Sequence, residues 1–490
     1  MGDVAMLQVA VARLRALWPW EELRVFTSDP VALRHYCPGV TPVLLPDRPA
    51  WCTDRYLGGR LHTWLSEDRS DQLADLYVRL ASRAPRLRER LLSGRAAIAG
   101  NSRERDSLRL FLDTIAGSRL VVASGAGGIA DHFHDYSNLV LLALQSAQTR
   151  RIPTAILSHG FGPLFSLDLR VKAGAILPRV DLIALREDRS SLPLLEALGV
   201  PLDRVVTTGD DAVELAYQAR PTHLGRAVGV NMRLARSAAA TEQDIDIVRE
   251  GLRRFARRWA APHLPLPIAR QQNLDINAID RLTHALDDLP LQTGSGRVPG
   301  AMPHPNPGLH EGVSAQAEAD AILQDGRELD TPLKVIQYVA RCRIVVTGAY
   351  HAAVFALSQG VPAVCVARSP YFVGKFLGLA DQFGAGCHLV SLDDADVPGR
   401  LLASMEQAWD EAPRMRETLW SAAEQQIARG RAAYQHLRML IDGRASGRPS
   451  TCSPQSTVSP AGSGMPSGAA SSGSRFARAT SCAGAGPSID

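Results

Sequence analysis

VDLIALREDRSSLPLLEALGV, residues 180–200, runs from an apolar stretch, Leu182–Leu185, through a charge cluster, Arg186–Arg189, into a segment of helical periodicity, Asp188–Leu198. A short strand that enters a helix through a charged turn is half of a parallel crossover unit, so further units are expected on both sides. Working toward the N-terminus, strand candidates fall at Leu23–Thr27, Val40–Leu45, Leu120–Ser124 and Ile152–Leu157, and just downstream lies Val205–Thr208. After Pro221 the rhythm restarts with Ala227–Met232, a helix near Thr241–Trp259, and strands at Leu264–Ile268, Ile344–Thr347, Ala363–Ala367 and His388–Ser391. Alternation of this kind is the α/β pattern, and the restart divides the chain into domains at 1–222 and 223–444.

The polar, helical Arg400–Ile441 reads as a long terminal helix packing across the domains. Between Leu291 and Asp330 the sequence is too rich in Gly, Pro and polar residues for either period and reads as a loop inserted in the second domain. Residues 445–490 are dominated by Ser, Gly, Ala and Pro, which bury too little apolar surface to offset ordering entropy, so a disordered tail is expected. At the other end, Gly2-Asp3 followed by Val4, Leu7, Val11 and Leu14 enters a helix at once. The strand that usually precedes such a turn is absent: either the fold begins with a helix or the chain starts downstream of a longer N-terminus.

With 490 residues, 46% apolar and 21% charged, the chain has globular usage and enough apolar material for two large cores. Its net charge of +4 leaves no basic stripe dense enough to make nucleic acid the expected partner. Seven cysteines, Cys37, Cys52, Cys342, Cys365, Cys387, Cys452 and Cys482, form an odd set without a CxxC pair and read as reduced thiols. The N-terminus has no secretory signature and no apolar run is long enough to span a bilayer, so a cytoplasmic protein is expected.

Candidate chemistry collects at the carboxyl ends of the strands, where open α/β sheets bind ligands. Ser124-Gly125-Ala126-Gly127-Gly128-Ile129-Ala130 satisfies GxGxxA, yet the following strand ends in Ser158-His159 and not in an acidic ribose partner. The glycines therefore read as a loop lining a cleft, a dinucleotide turn or a plain turn. A second flexible turn is expected at His159-Gly160-Phe161-Gly162-Pro163. Arg186 should emerge at the ligand edge, either to hold a carboxylate or phosphate or to pair with Glu187 or Asp188. Asp210 and Asp211 in TGDDA either accept sugar hydroxyls or cap the next helix. His351, after Tyr350 in the first turn of a helix, is placed to act as an acid, a base or an anion ligand, unless it is structural. Tyr371 and Lys375 in SPYFVGKF lie after the next strand. Asp131-His132-Phe133-His134-Asp135 lacks the further ligands zinc would need, and His304 and His310 sit in the inserted loop, so no metal is expected.

Taken in order, Gly2-Asp3, SGAGGIAD, HGFGP, DLIALREDRSSLPLLEALGV, TGDDAVELA and TGAYHAAVFALSQGVPAVCVARSPYFVGKF resemble the polysaccharide pyruvyl transferases, over nearly the whole chain to about Leu440. The resemblance implies a GT-B-like architecture of two Rossmann-type domains facing across a cleft. It also implies phosphoenolpyruvate as donor, a glycan or lipid-linked saccharide as acceptor, a cyclic ketal product and no further cofactor. The family's strand-end arginine falls on Arg186 and its second-domain histidine on His351. Gly2, Asp3, Gly125, Ala126, Gly127, Gly128, Gly160, Gly162, Asp210, Asp211, Arg233, Tyr350, Tyr371 and Lys375 are the further substrate-binding candidates. Ala349 stands where the family often has Arg, a charge that Lys375 or Arg233 would have to replace. Two other readings stay open: a GT-B glycosyltransferase using a nucleotide-sugar donor, and a catalytically silent binding protein. A peripheral membrane role on lipid-linked glycans is compatible with the sequence but marked by no amphipathic anchor.

Overall fold

The computed structural model describes residues 1–46, 49, 51, 102–234, 238–269, 274–283 and 328–445. The loop expected at 291–330, up to residue 327, and residues 446–490 of the expected tail lie outside them, as do Cys52, Cys452, Cys482, His304 and His310. The described residues all belong to one compact unit, Met1–Ser450.

The chain opens with α1 (Gly2–Leu17), β1 (Arg24–Thr27), α2 (Pro30–Tyr36), β2 (Thr41–Leu44) and α3 (Ser102–Ala116). A βα series follows: β3 (Val121–Ile129), α4 (His134–Thr149), β4 (Thr154–Phe161), α5 (Leu167–Ile176), β5 (Leu182–Leu185), α6 (Ser191–Ala197), β6 (Val205–Thr207) and α7 (Ala212–Gln218). The second half contains β7 (Ala227–Asn231), α8 (Glu242–Trp259), β8 (His263–Pro265), α9 (Leu274–Thr283), α10 (Pro332–Val339), β9 (Cys342–Thr347), α11 (Tyr350–Ser358), β10 (Ala363–Ala367), α12 (Pro370–Phe383), β11 (Cys387–Ser391) and α13 (Val397–Ala445).

β3 to β6 form a four-stranded sheet in chain order, and the second sheet runs β11-β10-β9-β7-β8; every neighbouring pair is parallel. β1 and β2 make a small parallel sheet of their own. In the second sheet the chain moves outward in opposite directions from β7 and β9, so their carboxyl ends flank the switch point where open sheets leave a crevice. The result is an α/β, GT-B-like arrangement of two parallel sheets. The domain boundary expected at 222–223 falls in the connection from α7 to β7.

Local chemistry explains the helix limits. Thr241 and Asp244 form a reciprocal capping box at the start of α8. Thr331 and Ser369 accept backbone hydrogen bonds at the starts of α10 and α12, each followed by Pro at the first helical position, and Gly384 ends α12 at φ +71°. Both halves share apolar packing: Ala5 and Met6 of α1 and Val213 and Ala216 of α7 lie in one buried cluster with Ile336, Val354, Phe355 and Phe376. Helix α13 seats Leu401 and Met405 beside the second sheet, and Tyr434 and Leu437 against Leu157 and Leu182 of the first. No described helix is long and apolar enough to cross a membrane.

Two expected turns are not turns. β3 continues through the glycines to Ile129, and β4 continues through His159 and Gly160 to Phe161. The pairs Ala126↔His159 and Ile129↔Phe161 hold the extensions together, with a register shift between them. Irregular pairing of this kind bends strand ends and re-aims side chains. Glycine looked like a turn signal, but ladder hydrogen bonds between two equally long strands outweigh its low strand propensity. Strand β8 is likewise three residues at His263–Pro265, ending ahead of the expected Ile268.

Candidate active site

Arg186 leaves the carboxyl end of β5 and is almost wholly buried, its guanidinium carbon 4.4 Å from the centre of the Tyr350 ring. It lies along the extended part of the first sheet. A Cβ on Gly160 would stand 2.7 Å from Arg186 Nε, and one on Gly127 would stand 2.6 Å from Arg186 Nη2. The same Gly127 position would be 2.7 Å from Lys375 Nζ, reaching over from α12 of the second half. The glycines thus make room for two cations that arrive from opposite sheets. Neither cation has a carboxylate within hydrogen-bonding distance among the described residues; the nearest to Arg186 is Asp210, at 4.0 Å. Burial first, and then the Arg186 charge, hold the Lys375 ammonium well below the usual lysine range. Lys375 donates to the Tyr371 hydroxyl, which in turn donates to the Gly127 carbonyl at 2.9 Å. Burial raises the proton affinity of both Tyr350 and Tyr371, so each phenol stays neutral.

His351 sits in the first turn of α11, beyond β9, with its ring against Gly2 of α1, where a side chain would collide with the imidazole. Its Nε2 faces Met6 Sδ at 3.4 Å, Asp210 Oδ2 at 3.7 Å and Asp3 Oδ1 at 4.0 Å. Burial, opposed by Asp3 and reinforced by Arg186, drops the imidazole pKa to about 3, so the ring is neutral at ordinary pH. Asp210 is the reverse case. Burial pushes its carboxyl up to about 7 against the pull of Arg186 and the Ala212 amide. Its Oδ1 accepts the Ala212 amide at 2.9 Å, while Oδ2 is buried without a hydrogen-bond partner among the described residues.

Arg233 follows β7 at the switch point, held at 3.3 Å by the fully buried Asp275, which also accepts the backbone amides of Ile268 and Ala269 and the Asn231 side-chain amide. Asp3, with 77% of its side chain accessible, stands at the mouth. Of the expected residues, Arg186, Lys375, Tyr350, Tyr371, His351, Asp210, Asp3, Gly2, Gly127 and Gly160 are thus brought together, with Arg233 on the same side of the second sheet.

The remaining candidates have other surroundings. Gly125 accommodates Met6 of α1, Gly128 the Tyr136 ring, and Ala126 is a paired strand residue. Gly162, at φ +80°, turns the chain after β4 beside Leu194. Asp211 points away from the site: its Oδ1 accepts from Arg13 at 2.6 Å and its Oδ2 from the Tyr434 hydroxyl at 2.7 Å. It joins α1, α7 and α13, and substrate binding is not its geometry. In the HxH stretch, Asp131 accepts the Phe165 and Ser166 amides and His134 meets Asp168 at 2.8 Å. No group of three or more potential metal ligands occurs among the described residues.

Sequence reasoning passed over Asp275, Tyr136 and Ser158. Ser158 lies inside β4 at φ +54°, where a non-glycine residue is strained, and its hydroxyl accepts the Asp211 amide at 2.7 Å and donates to the Gly209 carbonyl at 3.2 Å. That hydroxyl pins the TGDD segment to the neighbouring strands. The positive φ had no signal in the sequence.

Two parallel sheets with a cationic site at their strand ends define an α/β protein of GT-B-like architecture. The chain belongs to the polysaccharide pyruvyl transferase family, whose sequence profile matches residues 1–370. No curated protein matches it. Among solved structures it is similar to the S. aureus MnaA–UDP co-structure, at 12% identity over 92% of this chain and 96% of that one, with a TM-score of 0.47. A glycosyltransferase from Rickettsia africae matches at 9% identity over 90% and 94%, TM-score 0.44. A UDP-GlcNAc 2-epimerase from Neisseria meningitidis bound to UDP-GlcNAc matches at 12% identity over 69% and 82%, TM-score 0.39.

Proposed function

We propose that the protein transfers pyruvate from phosphoenolpyruvate to two hydroxyls of a glycan, releasing phosphate and leaving a cyclic ketal. The observation that carries this reading is the convergence of the buried Arg186 and the half-buried Lys375 on the Gly127 surface, neither neutralised by a touching carboxylate among the described residues. Such a pair calls for a small, highly charged anion. Phosphoenolpyruvate offers a phosphate and a carboxylate to it, and charge-assisted hydrogen bonds of this kind contribute about 1.5–3 kcal/mol each. Lys375 then supplies the charge that Ala349 cannot.

The reaction also needs a proton at the donor's methylene carbon and a group to receive protons from the attacking hydroxyls. The first hydroxyl adds to the central carbon as the methylene is protonated, and the second displaces phosphate. His351 and Asp210 are the titratable groups beside the cations, and a positioned acid or base contributes ~10²–10⁴-fold to such steps. Asp3, at the mouth, is placed to accept hydroxyls of an incoming sugar.

The test is calorimetric titration of phosphoenolpyruvate, UDP and GDP into the protein and its Arg186→Ala variant at one salt concentration. Saturable phosphoenolpyruvate binding, weakened ~10–100-fold in the variant, is the expected result. Binding of a nucleotide alone would replace this reading with nucleotide-sugar glycosyl transfer. No binding of any of the three would overturn both.

A further inference from the structure

Among the described residues, one carboxylate oxygen is buried without a hydrogen-bond partner, Oδ2 of Asp210. Its side chain is 1% exposed and no described protein group satisfies that oxygen, which a native structure keeps at a real cost. Arg186 Nε, on the guanidinium that faces it, is also buried without a hydrogen-bond partner among the described residues. Oδ1 of Asp210 is taken by the Ala212 amide, and the adjacent Asp211 is bound on both oxygens. The free oxygen is directed at His351 Nε2, 3.7 Å away, and at Arg186 Nη1, 4.0 Å away. The other nitrogen of His351 is turned to the Gly2 backbone, so Nε2 is the one that can exchange a proton.

Resting on the reading of the site as a phosphoenolpyruvate pocket, we propose that Asp210 is the proton store for His351, the two side chains sharing one proton between Oδ2 and Nε2. In the free protein the shared proton, when the pair holds one, resides on Asp210. Burial sets this, favouring the neutral carboxyl and the neutral imidazole against the pull of Arg186 on Asp210; around His351, Asp3 favours an imidazolium, Arg186, the N-terminal ammonium and Lys375 disfavour one, and the neutral Tyr350 ring and Met6 add no charge. Arrival of a donor with close to three negative charges reverses the balance. The Oδ2–H bond breaks as the Nε2–H bond forms, leaving carboxylate and imidazolium. The imidazolium then gives its proton to the methylene carbon, whose C–H bond is made from the double-bond electron pair, and the attacking hydroxyl's proton returns to Asp210 as its oxygen bonds to the central carbon. The second hydroxyl's proton leaves on the displaced phosphate, so the proton count closes without any external acid. In this scheme Asp210 stores the proton that His351 delivers and is also the base that receives the attacking hydroxyl's proton.

The experiment measures proton uptake on binding. Phosphoenolpyruvate is titrated calorimetrically at pH 7 in two buffers of different ionisation enthalpy, with the protein and its Asp210→Asn variant, and binding without acceptor suffices. A store that is half loaded at pH 7 fills when the anion arrives, so the intact protein should take up about half a proton more than the variant. The variant keeps the cap on Ala212 and should still bind phosphoenolpyruvate, which shows that the pocket remains folded. Equal uptake in both proteins, with binding retained, overturns the proton store while leaving pyruvyl transfer standing. His351→Gln serves as the second variant: it should lower the uptake as Asp210→Asn does, and uptake equal to that of the intact protein removes His351 from the pair. Absence of phosphoenolpyruvate binding to the intact protein would overturn the parent reading and this inference together.

Discussion

Asp210 and Asp211 are chain neighbours, both buried, and yet opposite in what surrounds them. Asp211 is bound by Arg13 and by Tyr434, and Glu214 one turn later is bound by Arg13 and Arg431, so carboxylates and guanidinia from α1, α7 and α13 complete one another. Asp210 faces the strand ends with one oxygen unmet. Burial raises the pKa of both, but for Asp211 the opposition comes from a direct salt bridge and a hydroxyl, whereas the guanidinium nearest Asp210 stays 4.0 Å away. Burial alone therefore does not separate a structural carboxylate from a functional one. The completeness of its hydrogen bonding does.

Three measurements would break or sharpen this contrast. The largest effect on stability is expected from Asp211→Ala, which strands Arg13 and the Tyr434 hydroxyl; a loss of about 3–5 kcal/mol should appear as a lower urea midpoint. A loss no greater than that of an exposed Asp→Ala change would remove Asp211 from the closing network. Asp210→Asn comes next. Its folded pKa near 7 lies above the unfolded 3.8, so the folded state holds the extra proton and stability falls as pH rises from about 4 to 7. The variant should flatten that slope and be the more stable form at pH 8, by roughly 2–4 kcal/mol at most. Parallel stability–pH curves for the two proteins would show that Asp210 titrates normally.

Gly127→Ala is the smallest change. Its methyl would press on the mobile ends of Arg186 and Lys375 and not on backbone, so melting should barely shift while phosphoenolpyruvate affinity falls ~10-fold. A large melting shift with unchanged affinity would mean that the glycine serves packing alone.

What the sequence made legible follows from range. Each strand was visible because its apolar run is local, and Arg186, His351 and Lys375 were found because strand ends followed by turns are local patterns too. The glycine stretch 124–130 was misread because the reasons for its glycines lie elsewhere in the chain: Met6, Tyr136, Arg186 and Lys375 occupy the space where Cβ atoms would be. Asp211 could not be told from Asp210, since the partners that distinguish them, Arg13 and Tyr434, lie about two hundred residues away on either side. Asp275 carried no pattern at all, because its role is to hold Arg233 and the amides of a segment whose path only the folded chain defines.

The long helix α13 has a consequence for biosynthesis. The strands of the first sheet are complete once Thr207 has been made, but Ala433, Tyr434, Leu437 and Ile441, which cover Leu157, Leu182 and Ala184, are translated roughly 230 residues later. At about 5–20 residues per second, that face of the sheet leaves the ribosome some tens of seconds before its cover does. During translation the nascent N-terminal half thus presents this apolar face covered by Ala10, Leu14 and Leu17 of α1 and the following Trp18 alone, until the last helix arrives.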